Sequence, residues 1–230
     1  RAAAVRGRSS LLGRSPASTF RRAPKRHRPA DGGQRARAWL SALAGRNLIL
    51  FMNGRPAVFF DRDGVVNVSP GAGYVLRWED FHLAPGIVEA LALCKARGYA
   101  TIVVTSQQGV GKGLMTQAAL DDIHARMQAE LAAHQAAFDG IYACTHLSGT
   151  CTCRKPSPEM IVRAETDHGL DLSRSWLIGD HDRDVQMAVN AGVPRTVRIL
   201  SHHEPKVAAD VTLEDTSQLA ALLEARLPAV

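Results

Sequence analysis

The chain has 230 residues, 46% of them apolar, and a net charge of +6. That is enough apolar material for a sizeable core, which excludes wholesale disorder, and no run approaches the ~18 apolar residues that a membrane span needs. Four cysteines (Cys94, Cys144, Cys151 and Cys153) are too few and too clustered for a disulfide scaffold, and a cytoplasmic protein with no membrane partner is expected.

The basicity is confined to one end. Residues 1–52 carry eleven Arg and one Lys against a single acid, Asp31, a charge of +11, which leaves −5 for the remainder. This stretch has no helical or strand period and is rich in Arg, Ala, Ser, Gly and Pro, a composition that cannot bury enough apolar surface to order itself. Three origins fit it: a start site placed too far upstream, with Met52 just ahead of the first strand; an organelle transit leader; or a nucleic-acid-binding tail. The first is expected. The tail lacks aromatic interleaving and a basic face on a folded element, so no nucleic-acid partner is expected. Residues 53–230 are read as one domain.

In chain order, Ala57–Phe60 reads as a short buried strand ending in Asp61, and Ile87–Arg97 as a helix closed by Gly98. Thr101–Val104 is a β-branched strand ending at Thr105, and Thr116 is a good cap for a long helix reaching about Ala136. Gly140–Ala143 is a weaker strand, and the helical stretch Pro158–His168 stops at Gly169. Trp176–Ile178 is a strand running into Gly179-Asp180, followed by a helix over Val185–Asn190 and Gly192. Val197–Leu200 is a further strand and Ser217–Arg226 a closing helix. This alternation predicts an α/β fold: a Rossmann-like, doubly wound, mainly parallel sheet with helices on both faces. His124 and His134 read as solvated residues of the long covering helix, His202-His203 as a loop pair, and Cys94 as a core residue. No heptad seam is left over, so a monomer is expected.

Asp61, Thr105 and Gly179-Asp180 all fall just past strand ends, the edge at which open α/β sheets bind ligands. Two acids spaced i, i+2 in the turn Asp61-Arg62-Asp63-Gly64 can face one centre. Asp61-x-Asp63-Gly64, Thr105, Lys155 and Gly179-Asp180-x-x-x-Asp184 follow one another in the order of the haloacid dehalogenase-like phosphohydrolases, which the chain resembles over nearly all of residues 56–200. The resemblance implies that Asp61 is a nucleophile forming an aspartyl phosphate and that Asp63 protonates the leaving oxygen and then activates water. It implies that Thr105 bonds a phosphoryl oxygen and that Lys155 neutralises charge. Asp61, Asp180 and the main-chain carbonyl of Asp63 would hold Mg²⁺, with Asp184 in or near its shell. A carboxylate approaches a phosphate dianion only if cations screen the repulsion, so the ion and the lysine belong together.

Cys144, His146, Cys151 and Cys153 place four soft or borderline ligands within ten positions, a composition suited to a closed tetrahedral Zn²⁺ site stapling a loop. The loop runs into Arg154-Lys155-Pro156. This C-x-H…C-x-C-R-K-P pattern is similar to two subgroups, the heptose 1,7-bisphosphate 7-phosphatases and the histidinol-phosphate phosphatase domains, both without a large cap domain. Asn67 after the first motif, Gly73-Tyr74-Val75 and the stretch Thr105 to Gly113 resemble the heptose subgroup. That resemblance implies substrate contacts from Arg62, Asn67, Gly73, Tyr74, Ser106, Gln107, Gln108, Arg154 and His181, with the planar fork of Arg154 suited to a second phosphate. The chain departs from the subgroup at Ser106, Gln108 and His181, in the longer loop holding Pro70 and Gly71, and in its short zinc loop. The expected substrate is a heptose bisphosphate, with histidinol phosphate or another small phosphomonoester as the alternative. An acidic body offers no groove for a nucleic-acid 3′-end.

Overall fold

The structure, a computed structural model, describes residues 54–230. The basic segment and the readings attached to residues 1–52 lie outside the described residues. Six short runs, mostly β-branched or aromatic, form the strands: β1 (Ala57–Phe60), β2 (Ala100–Ser106), β3 (Gly140–Cys144), β4 (Trp176–Gly179), β5 (Arg195–Ile199) and β6 (Val211–Leu213). They make one sheet in the order β3-β2-β1-β4-β5-β6, and every neighbouring pair is parallel. The order reverses beside β1, which pairs with both β2 and β4, so the carboxyl ends of β1 and β4 open the crevice of a doubly wound sheet.

The helices between the strands are α1 (Ile87–Ala96), the single turn α2 (Gln108–Gly111), α3 (Gln117–Ala132), α4 (Glu159–His168), α5 (Asp182–Ala191) and α6 (Leu219–Arg226). Strand side chains alternate between two cores. Val58 and Phe60 of β1 face Ile87 and Leu91 of α1, Leu120, Ile123 and Met127 of α3, and Leu219 and Leu223 of α6. Ala57 and Phe59 face the other way, onto Met160 and Ile161 of α4 and Met187 and Ala188 of α5. Both faces of the sheet are covered, as such uniformly apolar strands require. Cys94 lies in the first of these cores.

Thr116 caps α3 as expected, its Oγ1 accepting from the Ala119 amide at 3.1 Å. The helix ends at Ala132 rather than Ala136, and β2 runs on through Thr105 to Ser106. The edge strand β6 and the one-turn α2 were not legible, being too short for either period to register. Only one 3₁₀ turn, Trp78–Asp80, stands between β1 and α1, so no large cap domain covers this edge of the sheet. Among the described residues no helix is long and apolar enough to cross a membrane.

Candidate active site

The chain leaves β1 at Asp61, whose amide donates to the Ile178 carbonyl of β4 at 2.9 Å. The ends of the two strands are thereby locked side by side. The turn that follows can only be made by glycine: Gly64 has φ +90°, and a Cβ there would lie 2.7 Å from Asp180 Oδ2. Gly179 is needed for a different reason, since a Cβ would meet that of Asp184 at 2.3 Å. These two close approaches bring Asp61, Asp180 and Asp184 together, with one carboxylate oxygen of each within 4.8 Å of the others. Lys155 Nζ sits among them, 2.7 Å from Asp61 Oδ1 and 2.7 Å from Asp184 Oδ1. All four are buried, as is Thr105, whose Oγ1 accepts from Gln107 Nε2 at 2.8 Å.

Three buried carboxylates thus crowd one ammonium that pairs with two of them, Asp61 and Asp184, and the imbalance shows in their acidities. Burial, with Asp184 and Asp63 adding to it against the pull of Lys155, raises Asp61 to about 6. Burial and the charges of Asp61 and Asp184 raise Asp180 to about 7. Lys155 is itself held above its usual value: burial lowers it, but Asp184 and Asp61 outweigh that. A compact set of hard oxygen donors with excess negative charge matches a small divalent cation in donor type and charge.

Asp63 stands apart from this cluster. Burial would raise its carboxyl, but the Arg62 charge and hydrogen bonds from Gln107, Arg62 and Asn67 hold it below the ordinary range. Arg62 was expected to touch substrate. Its side chain is instead fully buried and grips Asp63 through Nε at 3.1 Å and Nη2 at 2.9 Å, because the residue between two outward-facing acids turns inward. Asn67 is likewise fully buried, its Nδ2 donating to the Val68 carbonyl, and Gln107 Nε2 bridges Asp63 Oδ2 and Thr105 Oγ1. These three side chains brace the turn rather than line the cleft.

The cleft is a cavity of about 260 Å³ bounded by Asp63 and Asp180 on one side and by Gly73, Tyr74, Ser106, Gln108, Arg154 and His181 on the other. Three residues that line it each carry a buried polar atom with no partner in the protein: Ser106 Oγ, Arg154 Nη1 and Arg183 Nε. With two arginines among them, this side of the cavity suits an anionic ligand. Arg183, His202 and His203 also line the cavity, and the His203 ring lies 4.7 Å from that of His181. The exposed loop pair His202-His203 thus borders the cavity. Its signal was available, since the residues following β5 emerge at the same sheet edge as Asp61 and Asp180.

Beside this site, Cys144, His146, Cys151 and Cys153 close into a cluster. Cys144 Sγ is 3.6 Å from Cys151 Sγ, which is 3.5 Å from Cys153 Sγ; His146 Nδ1 lies 3.5 Å from Cys153 Sγ and 3.9 Å from Cys144 Sγ. A tetrahedral zinc with thiolate sulfurs at about 2.3 Å places its ligand atoms about 3.5–3.8 Å apart, close to these four separations, so the four atoms stand near the corners of such a tetrahedron. The loop delivers Arg154 and Lys155 directly to the cavity and the carboxylates.

A parallel sheet of this order, with paired acids after β1, a second acid pair after β4 and a buried lysine joining them, defines a haloacid dehalogenase-like hydrolase. A HAD-hydrolase-like family model matches residues 152–204. The chain is 33% identical over 183 residues to the D-glycero-β-D-manno-heptose-1,7-bisphosphate 7-phosphatase of Yersinia pestis, covering 74% of this chain and 96% of that protein. It is 34% identical over 176 residues to the Escherichia coli protein of the same name, covering 71% and 91%. Among solved structures, the D,D-heptose 1,7-bisphosphate phosphatase of B. bronchiseptica, complexed with magnesium and phosphate, matches with a TM-score of 0.66 at 28% identity, covering 74% of this chain and 98% of that one. The chain belongs to this family of phosphatases.

Proposed function

We propose that the protein is a Mg²⁺-dependent phosphomonoester hydrolase that removes the 7-phosphate of D-glycero-D-manno-heptose 1,7-bisphosphate. What carries the reading is the meeting of Asp61, Lys155, Asp180 and Asp184 at one sheet edge, beside a cavity whose unpaired donors await an anion. In it, Asp61 attacks phosphorus, forming an aspartyl phosphate as the bond to the sugar oxygen breaks. Asp63 gives its proton to that oxygen and, in the second half-reaction, takes one from the attacking water. A phosphate dianion brought beside Asp63 opposes Arg62 and pushes the carboxyl back up, towards the protonated form that the first step needs. Thr105 bonds a phosphoryl oxygen, and Lys155 holds Asp61 in place while offsetting its charge.

Asp61, Asp180 and the main-chain carbonyl of Asp63 would hold Mg²⁺, with Asp184 steadying Lys155 at its edge. Once bound, the ion supplies the positive charge that lets an anionic nucleophile and an anionic phosphoryl group come together. Cys144, His146, Cys151 and Cys153 would hold one structural Zn²⁺. Arg154, joined by Arg183 and Ser106, would receive the second phosphate of a bisphosphorylated sugar.

Phosphate release with Mg²⁺ from heptose 1,7-bisphosphate, hexose bisphosphates, histidinol phosphate and nucleotides tests the assignment. The heptose ester is expected to give the highest kcat/KM. A higher value for histidinol phosphate would overturn the choice of substrate while leaving the chemistry intact.

A further inference from the structure

We infer that His124, on α3 and remote from the cavity wall, is a positioning residue that acts through Arg62 to hold the proton-transferring carboxylate of Asp63. This role rests on the proton transfer proposed for Asp63. Arg62 is a guanidinium with no solvent exposure, so each of its donors must find an acceptor inside the protein. Nε and Nη2 find Asp63, at 3.1 Å to Oδ1, 2.9 Å to Oδ1 and 3.2 Å to Oδ2. Nη1 faces His124 Nε2 at 3.2 Å. A guanidinium can only donate, so His124 Nε2 must accept, which fixes the imidazole as neutral with its proton on Nδ1. Its surroundings agree: burial and the adjacent Arg62 lower His124 to about 4.

The consequence is a chain from helix to site that passes through the fully buried Arg62, with His124 and Asp63 half-buried at its ends. His124 fixes the plane of the Arg62 fork, and the fork, with Gln107 Nε2 at 2.9 Å, fixes Asp63. A fixed guanidinium is a planar clamp; with Nη1 unpaired, it is free to rotate toward any other acceptor and take Asp63 with it. The long helix therefore does more than cover the sheet. Like Gln128, which bonds the Phe138 backbone, His124 is a polar residue of this helix turned partly inward, beside Leu120 and Met127.

The test uses His124→Leu, which removes the acceptor, and His124→Gln, whose side-chain oxygen can replace Nε2. Each is assayed with Mg²⁺ on two esters: a sugar phosphate, whose alkoxide needs a proton in order to leave, and p-nitrophenyl phosphate, whose phenolate leaves without one. Because kcat/KM reports the step in which the ester bond breaks, misplacing the proton donor should affect only the first ester. His124→Leu is expected to lose roughly tenfold in kcat/KM on the sugar phosphate and less than about twofold on the aryl ester, and His124→Gln to recover to within about threefold. A partial loss of folded protein would lower both esters alike, so the ratio between them still reads the role. Equal losses on both esters, or none on either, would overturn it and leave the proposed function standing. Wild-type protein that released phosphate from neither ester would overturn the proposed function, and this role with it.

Discussion

Lys155 is the residue on which the charge balance of the site turns. Its ammonium is shared by Asp61 and Asp184, both almost wholly buried. Removing one partner from a buried ion pair leaves an uncompensated charge, so Lys155→Met should destabilise the metal-free protein by about 3–5 kcal/mol in denaturant unfolding. A loss below about 1 kcal/mol would mean that the carboxylates are not held as described. The same crowding sets a pH dependence. Asp61 and Asp180 sit at about 6 and about 7 in the fold against an ordinary 3.8, so they bind protons more tightly folded than unfolded. The stability they contribute is present in full below their unfolded pKa and is lost as the pH climbs through 6 and 7. Metal-free protein should therefore melt lower at about pH 8 than at about pH 5, and Mg²⁺ should raise the melting temperature more at the higher pH. Equal protection by Mg²⁺ at both values would count against the three carboxylates as the binding site. Which residues reach this centre was legible from strand ends; which way they turn was not. Arg62 was expected to contact substrate only by resemblance, and the packed structure shows it facing inward. His124 falls at helical spacing beside the buried Leu120, Met127 and Leu131 and is itself half-buried rather than fully solvated, so its ring can reach Arg62.

At the scale of elements, the strands and helices came through because β1, β2 and β4 are continuous apolar runs punctuated by glycine and aspartate. The edge strand β6 did not, since three residues, though they alternate around Thr212, are too few for the period to register. The loop from Cys144 to Cys153 has no secondary structure of its own over most of its length, and the proposed zinc, held by its Cys/His cluster, would close it. Cys151→Ser should therefore lower bound zinc to well below one equivalent by elemental analysis and loosen the presentation of Arg154 and Lys155. A fall of roughly ten- to a hundredfold in kcat/KM is expected, the scale seen when the support of a metal or catalytic group is removed. Full activity in a zinc-free variant would make the loop a bystander.

Across the whole molecule, one topological fact organises the site. Because strand order reverses at β1, the ends of β1 and β4 lie side by side, and residues 61 and 180, far apart in sequence, become neighbours. β2 brings Thr105, the loop after β3 brings Lys155, and the loop after β5 brings His202 and His203 to the same edge. Alternating strands and helices foretold that edge, and the resemblance named much of the cavity wall, but Arg183, a variable position inside the last motif, and the histidine pair were not foretold as part of it. The central claim is that Asp61 carries the phosphoryl group. Acid-quenched turnover of a bisphosphorylated sugar, followed by mass analysis of the peptides, reads this directly. The account predicts one added phosphoryl group on the peptide containing Asp61, absent in Asp61→Asn; a phosphoryl group on any other residue, or turnover undiminished in Asp61→Asn, would contradict it.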